Sequence, residues 1–192
     1  YNPDILIMQF CNNDFSNNSL DIEKASFSLS QYMRRPYLRN NEIYYHKSFF
    51  SPLFRKINFI KDSRIFSKLI FIYEFLIRKY FPFNYETIDS DVIIEAKKNT
   101  LKILKDIRQL YPKKPAFIFS CSNEPSKLNS NWQELAEQAN FIVLNESSNF
   151  IDQARKKGLK IFFKDGGHLN KSGNLYLGKL IFEEISKSYK FN

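Results

Sequence analysis

The chain has 192 residues, enough for one domain with a full core and barely enough for two. Its 43% hydrophobic content excludes wholesale disorder. The net charge is +9, glycine is scarce at five, and aromatic residues make up 17% of the chain, with 20 Phe and 11 Tyr.

In chain order the first feature is "PDILIMQFCNND" (3–14), an unbroken apolar run that ends abruptly in two asparagines and an aspartate. The run reads as a buried strand. It is under way by residue 4 and follows Tyr rather than Met, so the sequence reads as part of a longer protein with no signal peptide in view. A short polar loop, "NNDFSNNS", comes next. Segment 32–85 then holds 11 of the 29 basic residues but three acids (Glu42, Asp62 and Glu74), and half of the aromatic residues, so the positive charge is local. Its centre, "RIFSKLIFIYEFLIRKYF" (64–81), reads as a helix. Lys68 and Glu74 interrupt it, which argues against a membrane span, since about 20 apolar residues are needed.

The second half alternates. "DSDVIIEAKKNTLKILKDIRQLY" (89–111) places Ile93, Ala96, Thr100, Leu104, Ile107 and Tyr111 on one helical face, with Asp89 or Ser90 as cap. "PAFIFSC" (115–121) reads as a buried strand, "NWQELAEQA" (131–139) as a helix and "FIVLN" (141–145) as a strand. "SNFIDQARKKG" (148–158) is a predicted helix closed by Gly158, and "LKIFF" (159–163) a predicted strand. A final helix (170–189) is capped by Asn170 and turns Leu177, Ile181 and Ile185 inward. This alternation predicts an α/β layered fold with a parallel sheet, in which ligands bind beyond the carboxyl ends of the strands. Both "CNND" and "KDGGH" fall at such ends.

In "DGGHLN" (165–170), Asp165 stands three residues before His168. A carboxylate there can hold the imidazole in one tautomer and leave Nε2 free to take a proton. In "CNND", an asparagine past a strand end can aim its amide at a developing oxyanion. Taken together, the two blocks resemble those of the SGNH or GDSL-type hydrolases, over residues 3–15 and 89–189, with 16–88 unmatched. The resemblance implies a three-layer flavodoxin-like fold over 1–192, with 30–88 as a mainly helical, basic and aromatic insertion. It implies catalytic roles for Asn13 in the oxyanion hole, His168 as general base and Asp165 as its orienting carboxylate. The family's nucleophilic serine block is absent from this sequence, so that serine is expected upstream. Where the family's block has glycine, this chain has Cys11.

The activity implied is serine-dependent hydrolysis of a small ester or of an acylated glycan or lipid, with no metal or organic cofactor. An O-acyltransferase of the same fold is the near alternative. A rival of another class is a non-catalytic SGNH-like module that holds an anionic polymer or membrane surface through residues 32–85; no specific nucleic acid is expected. Ser16, Ser120 and Ser122 also follow predicted strands, but none sits in a glycine-flanked turn. Cys11 as a replacement nucleophile, and His46 in the insertion as anything but a surface residue, are minor alternatives. Cys11 and Cys121 close two predicted strands and read either as two small buried thiols or as a disulfide. The sequence leaves the compartment open, with a lean toward the cell envelope or secretion.

Overall fold

The computed structural model describes residues 3–11, 13–25, 36–39, 42–45, 68, 72–73, 75–76, 79–80, 88–121, 131–163 and 168–189. In chain order its elements are β1 (Leu6–Phe10), α1 (Asn13–Asn17), α2 (Leu20–Ala25), β2 (Pro36–Arg39), β3 (Glu42–Tyr45), α3 (Ser90–Leu110), β4 (Ala116–Ser120), α4 (Trp132–Gln138), β5 (Ile142–Val143), α5 (Asn145–Ser148), α6 (Phe150–Lys156) and α7 (Lys171–Ser188). Further helical residues lie at 68, 72–73, 75–76 and 79–80. Two compact units divide the chain: 1–12 with 103–125 and 129–192, and 13–102 with 126–128.

The first unit carries a three-stranded parallel sheet in the order β1-β4-β5, so the protein is α/β. Every residue of β4 is buried, as a central strand covered on both faces requires. β1 alternates instead, with Ile7 46% exposed, which suits a strand paired on one side among the described residues. Phe117 and Phe119 point to one face, where they pack with Leu144, Phe150 and Ala154 and with Leu177, Leu180 and Ile185 of α7. Phe10 stacks on Trp132, with ring centroids 5.9 Å apart. Arg108 donates to the carbonyls of Tyr111 (2.6 Å) and Lys114 (3.1 Å), which fixes the turn leading into β4.

Two strands differ from the sequence reading. The "FIVLN" run yields a β5 of two residues, extended by one hydrogen bond from Leu144 N–H to the Ile118 carbonyl (2.8 Å). The helix expected from 148 begins earlier and is broken into α5 and α6. The early start has a cause in Glu184 of α7, whose carboxylate accepts from the Glu146 N–H (3.0 Å), the Ser147 N–H (2.9 Å) and the Ser147 hydroxyl (2.8 Å). It supplies the acceptors that the first turn of α5 lacks. Gly158 closes α6 as expected, at φ +67°, with Leu159 N–H to Ala154 C=O and Gly158 N–H to Arg155 C=O. Asn140 ends α4 in the same manner at φ 61°.

"LKIFF" is not a sheet strand. Within it, Phe162 alone pairs, in an isolated antiparallel bridge with Leu169. The carbonyls of Lys160, Ile161 and Phe162 are all taken by Asn170, which leaves them unavailable to a ladder with β5.

The second unit contains α1, α2, residues 90–102 of α3 and an antiparallel β2–β3 hairpin registered Pro36↔Tyr45 through Arg39↔Glu42. Of the segment 30–88, expected to be mainly helical, the described residues include the helical ones at 68, 72–73, 75–76 and 79–80 and also this hairpin, for which "YLRNNEIYY" sets two asparagines between β-prone runs. The buried Tyr37 hydroxyl donates to the buried Glu23 carboxylate. Asn99 of α3 donates to the Leu38 carbonyl (2.9 Å), and Asn18 donates to the Thr100 hydroxyl (3.2 Å). Of the face predicted for α3, Ile93, Ala96, Thr100 and Leu104 are buried and Ile107 is half-buried, while Tyr111 follows the helix end; Asp89 accepts from the Asp91 N–H (2.9 Å) at its start. Among the described residues no helix is long and apolar enough to cross a membrane.

Replacing Glu184 with alanine removes three acceptor contacts at once and should lower stability by about 1–2 kcal/mol. Urea denaturation measures it. Lys179→Ala, which breaks only the exposed pair with Glu183 (3.7 Å), should leave the midpoint nearly unchanged.

Candidate active site

His168 is positioned by the described residues on either side of it. The Phe163 N–H donates to the His168 carbonyl (2.9 Å). One residue further, Leu169 bridges Phe162. Asn170 then fastens the arrangement with backbone and side chain together. Its N–H donates to the Ile161 carbonyl (2.9 Å), and its Nδ2 donates to the carbonyls of Lys160 (2.8 Å) and Phe162 (3.0 Å). Its Oδ1 accepts from the Gly173 N–H (2.9 Å), so one side chain caps α7 and holds the incoming segment. Gly173 permits this approach, because a Cβ there would run into the Ile161 carbonyl. The result is an exposed His168 presented directly before the α7 cap.

Asp165 lies outside the described residues, as do Ser122 and His46. Asn13 opens α1, three residues after the end of β1 in the sequence. Its side chain is exposed, and its carbonyl accepts the Ser16 hydroxyl (2.8 Å). Phe15, fully buried, anchors the short helix that follows. His168 belongs to the first unit and Asn13 to the second, so each is placed within its own unit and their grouping rests on the sequence blocks.

Two serines considered from the sequence occupy structural positions. Ser16 is buried and donates to the Asn13 carbonyl; Ser120 is 3% exposed at the end of the central strand. Neither is set out toward solvent as an attacking hydroxyl must be.

Cys11 and Cys121 form a disulfide, resolving the alternative that the sequence left open. The parallel register dictates it: Phe10 is opposite Ser120, so the next residues on each strand face one another, with Cα atoms 5.5 Å apart. Cys11 in this bond is not a nucleophile. Among the described residues no cluster of His, Cys, Asp and Glu could hold a metal ion.

The fastening role of Asn170 goes beyond the capping read from the sequence; the Asn-to-Gly spacing in "NKSG" was its one signal. Comparison with family models, with curated proteins and with solved structures finds no match to this chain.

Asn170→Asp keeps the acceptor for Gly173 but loses both donors to the 160–162 segment; a loss of about 1–3 kcal/mol is expected. Gly173→Ala should cost about as much through overpacking. Chemical denaturation of each variant checks both values.

Proposed function

We propose that this chain carries the histidine–aspartate and oxyanion parts of a serine-dependent acyl ester hydrolase of the SGNH type. The observation that carries the reading is the backbone tie at His168: the Phe163 N–H donates to its carbonyl, and the exposed His168 stands just ahead of the α7 cap. A general base needs that combination of access and fixed backbone. An exposed Asn13, three residues after β1 in the sequence, supports the oxyanion role.

In the proposed cycle, a serine upstream of this sequence attacks the ester carbonyl while His168 takes its proton. Asp165 orients the imidazole, and Asn13 donates to the oxyanion of the tetrahedral intermediate. Collapse expels the alcohol, protonated by His168, and leaves an acyl-serine. Water then attacks that acyl group in a hydrolase; a second alcohol does so in an O-acyltransferase. An ester of a small alcohol, an acylated glycan or a lipid fits this chemistry, and no cofactor is required.

The test is covalent labelling of the natural full-length protein with a fluorophosphonate. Labelling at a serine is expected, with His168→Ala slowing it by about 10³-fold or more and Asn13→Ala lowering ester turnover by about 10²–10³. A folded protein that is never labelled would sink the reading.

A second reading has its own observation. The described helical residues between 68 and 80 fall within one face: Ile72, Tyr73, Phe75, Leu76 and Tyr80 are all exposed there, with Lys68 and Lys79 among them. Exposed apolar and aromatic side chains interleaved with lysine, inside a segment of net charge +8, suit an anionic lipid surface. Cosedimentation with phosphatidylglycerol vesicles, but not with phosphatidylcholine vesicles, is expected, weakening about tenfold or more between 50 and 300 mM salt. Equal binding to both vesicle types would remove this reading.

A further inference from the structure

We propose that a groove in the first unit, between α6 and residues 159–163, binds a medium-chain fatty carboxylate. Its chain lies on the apolar floor, and its head group sits at Arg155 and Lys160. The proposal does not rest on the hydrolase reading.

The groove follows from how the chain leaves α6. Gly158, at φ +67°, turns the backbone, and the Leu159 N–H closes on the Ala154 carbonyl (2.9 Å), which fixes the path of the next residues. Ile151 and Arg155, one turn apart on α6, form one wall, and the stretch from Leu159 to Phe163 forms the other. The space between them is about 370 Å³, within the range of small-molecule sites.

The floor is set before any ligand arrives. Ile161 belongs to the core, and Ile151 and Phe162 pack against it. The carbonyls of Lys160, Ile161 and Phe162 are held by Asn170, so this stretch is not drawn into a ladder with β5.

Exposure and charge select the occupant. Leu159 and Phe163, at the lips, are 44% and 58% exposed, apolar surface that a hydrocarbon chain would cover. Residues 155–160 carry Arg155, Lys156, Lys157 and Lys160 and no acid. Of these, Lys157 lies over the Tyr176 ring (5.2 Å), while Arg155 and Lys160 line the groove. Arg155 pairs with Asp152 (3.1 Å), but both side chains are exposed, so the pair holds the guanidinium weakly. Lys160 makes no ion pair with a described residue. Two cations at the mouth of an apolar groove match an anion with one hydrocarbon tail. A cationic amphiphile would be repelled, and a small polar anion would leave the floor uncovered.

The test is isothermal titration of the natural full-length protein with hexanoate, octanoate and decanoate, each below its micellar concentration. Affinity should rise about two- to fourfold with each added methylene. Decanol and decyltrimethylammonium should bind about tenfold more weakly than decanoate, or worse. Decanoate with a diazirine at its chain end should, on irradiation, label residues within 151–163. Replacing both cations, Arg155→Ala with Lys160→Ala, should weaken decanoate about tenfold or more. The unfolding midpoint of that variant should stay within about 2 °C of the parent, because both side chains are exposed.

Affinity that ignores chain length would overturn the proposal, leaving ion pairing alone. So would decanol binding as tightly as decanoate, labelling confined to other residues, or full affinity in the double variant. Cosedimentation with phosphatidylglycerol vesicles that the double variant loses, with no heat from monomeric decanoate, would also overturn it, making this face a membrane contact instead.

Discussion

Asn170 satisfies the backbone of two segments with one short side chain and its own N–H. Three consecutive carbonyls, from Lys160 to Phe162, and the amide of Gly173 all find their partner there. Buried or half-buried backbone groups left unpaired cost more than a made hydrogen bond returns, so these contacts determine the path of the chain rather than decorate it. The bare Cα of Gly173 is the matching condition, because the segment and the helix must approach to backbone distance. The position of His168 and the start of α7 both follow from this junction. Packing acts behind it: Ile161 joins Phe117, Phe150 and Leu177 in the core, so the tie is supported by apolar contact on its inner side.

The same logic of a carboxylate or amide reaching across to a chain terminus recurs in α7. At its start Asn170 caps α7 itself; near its end Glu184 caps a different helix, α5. One long helix thus organises both the loop with the candidate base and the exit from the sheet after β5. The core side chains Leu177, Leu180 and Ile185 place the two polar devices, since they fix the rotation of α7 against Phe117 and Phe119.

Much of this was legible in the chain. The 3.6-residue period of 89–111, the continuous run "AFIFS" and the caps at Asp89, Asn170 and Gly158 each have a local cause, and local causes survive into the fold. What was misread depended on distant residues. "LKIFF" has the composition of a strand, but its carbonyls are claimed by an asparagine eight to ten residues away. The early start of α5 is served by Glu184, and no pattern within 145–158 announces it. The β2–β3 hairpin was hidden by the aromatic and basic character of its segment, although the paired asparagines between its strands were a usable signal. Of the candidate site, the residue types and their strand-end positions were readable, whereas the fastening of the histidine loop needed three dimensions. The disulfide was undecided for a similar reason: the register that sets residue 11 opposite 121 is a property of two strands, not of either sequence run.

Closing the chain on itself between residues 11 and 121 makes a covalent ring that contains α1, α2, β2, β3, α3 and β4. A single peptide-bond cut anywhere inside that ring yields two pieces that remain one molecule. Under reducing conditions the same cut yields two separate chains. A protease and a reductant acting together can therefore dismantle what neither separates alone, and the most basic stretch of the sequence lies wholly within the ring.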